Sequence, residues 1–92
     1  MKIVINVGYG GFGLSELALQ RYIARTGASA DLYERDIARD DPVLVELVES
    51  MGSTADGKYA RLKVVEIPDD VDWTIQEYDG MEWVAEAHRT WG

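Results

Sequence analysis

Residues 5–22 read INVGYGGFGLSELALQRY, and the change of character inside them decides how the chain begins to fold. Gly8, Gly10, Gly11 and Gly13 fall within six positions, and Gly8, Gly10 and Gly13 spell G-x-G-x-x-G. Upstream, KIVINV at residues 2–7 is dense in β-branched side chains and alternates weakly, which predicts a first, central strand. Downstream, Ser15 stands where an N-cap belongs, and ELALQRYIART carries Leu17, Leu19, Tyr22 and Ile23 at helical spacing. Gly27 suits the left-handed residue that ends such a helix. The opening therefore reads strand, glycine turn, helix.

Further along, ADLYER reads as a short second strand and DIARDDP as a charged loop. Its end, Asp41-Pro42, fits an N-cap followed by proline in the first helical turn. PVLVELVESMG places Val43, Leu44, Leu47, Val48 and Met51 on one helical face and stops at Gly52. STADGKYA is a polar connector with the composition of a mobile one, RLKVVEIP a strand closed by Pro68, and DDVDWTIQEY a further alternating strand. Asp79-Gly80 is a two-residue hairpin signal, which makes MEWVAEAHR (residues 81–89) a partner strand with Glu77 facing Glu82. The competing signal is a capping box from Asp79 to Glu82, which would make the same residues helical; the strand is preferred here. The predicted class is α+β: one domain, residues 1–92, in β-α-β-α-β-β order. A single sheet of about four to five strands would pack against two helices.

Composition narrows the function. A chain of 92 residues buries roughly 60–65% of its unfolded surface, and self-association is a natural supplement. The formal charge of -8 argues against nucleic acid polymers and anionic membranes as partners, because both need a broad positive field. No apolar run approaches the roughly 20 residues of a bilayer span. MKIVINVGYG resembles neither a signal nor a transit peptide, and cysteine is absent. A cytoplasmic location is expected, without disulfides, thiolate metal sites or thiol catalysis.

The glycine turn admits three readings. In the first, Glu34 lies 21 residues after Gly13 and would take a ribose hydroxyl at a dinucleotide site. Against it, only 58 residues follow Glu34, and their pattern gives consecutive strands instead of a second nucleotide-binding half. In the second, the glycines merely permit a tight turn. In the third, free amides at a helix start attract phosphate without catalysis. Arg21 and Arg25, four apart on the first helix, would then supply charge, or else form a solvated stripe. Tyr9 and Phe12 would stack on a base or pack the core, with Gly10 and Gly11 between them. His88 and Arg89, beside Trp91, form a cluster able to grip an anionic ring-bearing ligand, or else Trp83 and Trp91 are core or interface anchors. No zinc spacing, calcium loop or Walker lysine occurs, and one histidine without a placed partner makes no catalytic pair. An enzyme is not expected, nor a metal or cofactor.

Three long stretches carry a resemblance: KIVIN-x-x-YGGFGLS, RDDPVLVELVESMG and KVVEIPDDVDW-x-I-x-EYDG-x-EWVAEAHRTW. Together they cover nearly the whole chain and resemble the first Thoeris anti-defence family of phage and prophage proteins. That resemblance implies a sponge acting in the host bacterial cytoplasm. It would hold a cyclic nucleotide immune signal uncleaved: glyco-cyclic ADP-ribose, with CBASS cyclic oligonucleotides for some members. It further implies a homodimer or a dimer-based hexamer. Arg89 resembles a ligand-contacting arginine of the family, and Arg21 or Arg25 a second anion-binding position. The chain is shorter than family members between its two helices and around STADGKYA, which leaves the ligand's identity open. The alternative is an acidic interaction module that blocks a host defence protein, read from the charge of -8.

Overall fold

The computed structural model describes residues 1–86. It is an α+β fold with two helices and four strands, arranged as two separate antiparallel pairs. Strand β1 (Lys2–Asn6) pairs with β2 (Leu62–Glu66), and β3 (Trp73–Tyr78) pairs with β4 (Met81–Glu86). The expected single sheet is therefore split in two. Helices α1 (Glu16–Thr26) and α2 (Pro42–Met51) fall where the sequence puts them.

Both helices start and stop on the expected chemistry. Ser15 Oγ accepts the Ala18 amide at 3.1 Å, and Gly27 closes α1 in the left-handed region at φ 74°. Asp41 accepts the Val43 and Leu44 amides at 2.8 and 3.4 Å, directly ahead of Pro42. The second oxygen of Asp41 accepts the Tyr22 hydroxyl at 2.6 Å, so the cap of α2 also fastens α1. That bond pushes the Tyr22 pKa up to about 12, with burial adding to it. Leu44, Leu47 and Val48 from α2 meet Ala18 and Tyr22 from α1, Val4 from β1, and Ala55 in one apolar cluster.

ADLYER does not form a strand. Leu32 N–H donates to the Ser29 carbonyl, the Ser29 hydroxyl accepts the Asp31 amide, and Glu34–Asp36 closes as a 3-10 helix. The segment has only one β-branched neighbour, Ile37, and that is the residue it buries. Leu32 is only partly buried against the core, and the segment has no alternating apolar inward face to hold an extended course. β1 is consequently not central. Its open edge is covered by single groups: Val4 N–H donates to the Arg39 carbonyl at 2.9 Å, and Asn6 N–H to Glu82 Oε1 at 2.8 Å.

The hairpin reading of residues 79–80 holds. Asp79 and Gly80 both take positive φ, 54° and 89°, as a type I′ turn requires, and Glu77 faces Glu82 as expected. The like-charge pair is tolerated because Glu82 is held by Arg39, with bonds of 2.6 and 2.9 Å to its two oxygens. This pair docks the hairpin onto β1. Asn6, fully buried, does the same for the loops: its side chain donates to the Gly8 and Gly80 carbonyls and accepts the Gly8 and Arg61 amides. Nor does STADGKYA run free. Ala55 is buried in the core, and Leu14 bridges Asp56.

Candidate functional site

The glycine loop lies where three backbones cross. A Cβ on Gly10 would stand 2.0 Å from Tyr59 Cβ and 2.5 Å from the Tyr59 carbonyl oxygen. A Cβ on Gly80 would stand 2.4 Å from the Tyr9 carbonyl oxygen. Close backbone approach therefore accounts for glycine here without a pyrophosphate. Three amides around the entry into α1 are also spent. Leu14 N–H donates to Glu34 Oε2 at 3.3 Å, Ser15 N–H to the Ala55 carbonyl at 2.8 Å, and Ala18 N–H to Ser15. A protein carboxylate thus takes the last amide of the glycine loop before the cap of α1.

The loop itself remains open. Among the described residues, the Gly10, Phe12 and Gly13 amides donate to no acceptor. Two cavities flank the loop, and both are lined by Gly11 and Phe12. The smaller, about 190 Å³, adds Gly10, Gly13, Glu34, Lys58 and Tyr59. The larger, about 330 Å³, adds Arg35, Arg39, Glu77 and Glu82. Arg39 stacks over the Phe12 ring at 3.7 Å and is committed to Glu82; Glu77 accepts the Gly80 amide at 2.9 Å. Arg35 and Lys58 make no ion pair among the described residues, so each cavity keeps one cation available to an anionic ligand.

Of the residues singled out in the sequence, Gly10, Gly11 and Phe12 are brought to this site. Phe12 also packs against the core, one of the two roles the sequence admits for it. Tyr9 projects into solvent, 71% exposed, and lines neither cavity. Arg21 and Arg25 are not brought to the loop. Arg25 pairs with Glu46 of α2 at 3.0 Å, and Arg21 is exposed on the same helix. A third cavity, against α1, is lined by Leu19, Ile23 and Ala24 among others and by neither arginine. His88 and Arg89 lie outside the described residues.

The cations that do flank the loop, Lys58, Arg35 and Arg39, were not singled out in the sequence. The signal available was faint: Arg35 and Arg39 are four apart in ERDIARDD, where intervening acids suggest a solvated run. Glu34 reaches the loop as the dinucleotide reading expects, though from a 3-10 helix and not from a strand end. Among the described residues no group of three or more His, Cys, Asp or Glu could hold a metal ion, and no helix is long and apolar enough to cross a membrane. No protein-family model, curated protein or solved structure matches the chain.

Proposed function

We propose that this protein binds a small cyclic nucleotide signal at the glycine loop and holds it without cleaving it, as the resemblance to the Thoeris anti-defence family implies. One observation carries the reading: two cavities share Gly11 and Phe12, and each is lined by a cation, Lys58 or Arg35, with no ion-pair partner among the described residues. A ligand with more than one phosphate can engage both sides of Phe12 at once, while uncommitted amides complete its hydrogen bonds. Local positive groups of this kind can hold a small anion on a chain of net charge -8, where a polymer would be repelled. Neither set of lining residues includes Ser, Thr, Cys or His, so no serine-, threonine- or cysteine-histidine pair for attack on a phosphate ring is among them. Binding without turnover is the chemistry that this lining supports.

On this reading Arg21 and Arg25 give up their roles to Arg35 and Lys58. The part of Arg89, and assembly into homodimers or dimer-based hexamers in the host cytoplasm, rest on the resemblance. Isothermal titration with glyco-cyclic ADP-ribose tests the proposal. Saturable binding by the wild type, weakened at least tenfold in the Arg35→Ala/Lys58→Ala double variant, supports it. No measurable heat with the wild type, or an unchanged affinity in the variant, refutes it.

A second reading has one observation in its favour. Residues 64–86 carry eight acidic side chains and no lysine or arginine, and Tyr78 and Trp83 are exposed within them. An inhibitor that presents this acidic hairpin to a basic host protein would capture no nucleotide at all.

A further inference from the structure

The smaller cavity contains a feature that phosphate binding does not explain. Its wall includes the Glu34 carboxylate, which would repel an isolated phosphate group. Glu34 is fixed in place by the loop. Oε2 accepts the Leu14 amide, and Oε1 lies 3.2 Å from the point where a Cβ on Gly13 would stand. A carboxylate offers about four lone-pair sites, and the bond to Leu14 uses one of them. The half-buried carboxylate therefore keeps acceptor sites open towards the cavity. In the same wall Lys58 supplies donors and positive charge, and it lies 5.3 Å from the centre of the exposed Tyr59 ring. At about 190 Å³ the space is smaller than the roughly 300–1,000 Å³ that encloses a whole ligand, so it takes one portion of it.

We infer that this cavity is a phosphoribosyl subsite: Glu34 accepts hydrogen bonds from sugar hydroxyls, Lys58 and the Gly10, Phe12 and Gly13 amides take the adjoining phosphate, and Tyr59 offers a face to the base. The inference rests on the binding function proposed above and specifies what the loop reads. Glu34 then acts as a selector. It rewards a ligand that brings hydroxyl donors beside its phosphate and disfavours phosphate or pyrophosphate alone. A buried or half-buried acceptor left without its donor is costly, and such sites discriminate well against analogues that lack one hydroxyl.

The test uses the full chain, labelled with nitrogen-15, titrated with AMP, with 2′,3′-dideoxy-AMP and with inorganic phosphate. Amide shifts of residues 10–14 are followed throughout. The wild type is expected to bind AMP about tenfold or more tightly than dideoxy-AMP, the scale of a hydrogen bond to a charged group. Glu34→Gln keeps an acceptor for Leu14 N–H and removes the charge. It should abolish the preference for hydroxyls and tighten inorganic phosphate binding. Lys58→Gln should weaken AMP and phosphate alike and leave the hydroxyl preference intact, which separates selection from simple electrostatics. Equal binding of AMP and dideoxy-AMP by the wild type overturns the inference. So does a preference that survives in Glu34→Gln, or an absence of shifts at residues 10–14. If Glu34→Gln captures glyco-cyclic ADP-ribose with wild-type affinity, the selector fails while the binding function stands; if the wild type captures none, the function itself fails.

Discussion

Replacing Glu82 by glutamine tests how the hairpin is held to the body, and its cost can be worked from the contacts. Glu82 is 7% exposed at its side chain and accepts three hydrogen bonds: two from Arg39 and one from the Asn6 amide. Glutamine can still accept through Oε1 from Asn6 N–H, but it opposes Arg39 with an amide nitrogen and no charge. The guanidinium, 18% exposed, keeps its Nη1 bond to that Oε1, the Val4 carbonyl and the Phe12 ring, but loses the opposing charge and faces the new amide nitrogen with Nη2. Breaking one partner of a fully buried pair costs about 3–5 kcal/mol, and partial exposure of Arg39 moves the expected loss to about 2–4 kcal/mol. A chain of this length has roughly 5–14 kcal/mol of stability in all, so the effect is large. Urea unfolding followed by tryptophan fluorescence reads it well, since Trp73 and Trp83 both lie in the hairpin. A double-mutant cycle with Arg39→Met isolates the pair from the remaining contacts and should return a coupling of at least about 1.5 kcal/mol. A loss below about 1 kcal/mol for Glu82→Gln, or a coupling near zero, would refute the argument that this ion pair docks the hairpin.

Gly10→Ala should lower stability by about 2 kcal/mol or more, because its Cβ would meet Tyr59 backbone and side chain that cannot both retreat; an unshifted urea midpoint would contradict that crossing. Tyr22→Phe loses the bond to Asp41 and should cost about 1–1.5 kcal/mol in the same assay. The folded-state pKa of Tyr22, about 12, lies above the ordinary value of 10, so its stabilisation is complete below about pH 10 and is lost as pH rises towards 12. Thermal melts from pH 9 to 12 should therefore fall more steeply for the wild type than for Tyr22→Phe, and parallel curves would be the wrong result. Arg21→Ala and Arg25→Ala should leave nucleotide affinity within about twofold, since Arg25 is engaged by Glu46 and neither residue lines a loop cavity; a large drop in titration calorimetry would return them to the site.

The parts of the fold that could be read from sequence are those set by local chemistry. Ser15, Gly27, Asp41-Pro42 and Gly52 bound the helices, and Asp79-Gly80 closes the hairpin, because caps and I′ turns are satisfied within a few residues. The arrangement of sheets could not be read this way. What covers the open edge of β1 is Arg39 and Glu82, separated by 43 residues, and no periodicity announces a strand edge paired by one distant carbonyl and one carboxylate. ADLYER misleads because alternation over so short a run also fits a turn followed by a 3-10 helix. The site was half legible. Gly10, Gly11 and Phe12 announce themselves by spacing, whereas Lys58 and Arg35 reach the loop only through tertiary crossings at Gly57–Ala60 and at the 3-10 helix. Arg21 and Arg25 share a helix face as i,i+4 spacing requires, but that face is turned away from the loop cavities, towards α2 at Arg25.

Capture followed by release addresses the central claim most directly. The purified protein is mixed with a known, substoichiometric amount of glyco-cyclic ADP-ribose, the free ligand is removed by filtration, and the retained complex is heated until the chain unfolds. The account predicts that the nucleotide stays with the protein before heating and is recovered afterwards in full, with its mass and ring intact. Recovery of a linear product, or passage of the nucleotide through the filter as though no protein were present, would contradict it.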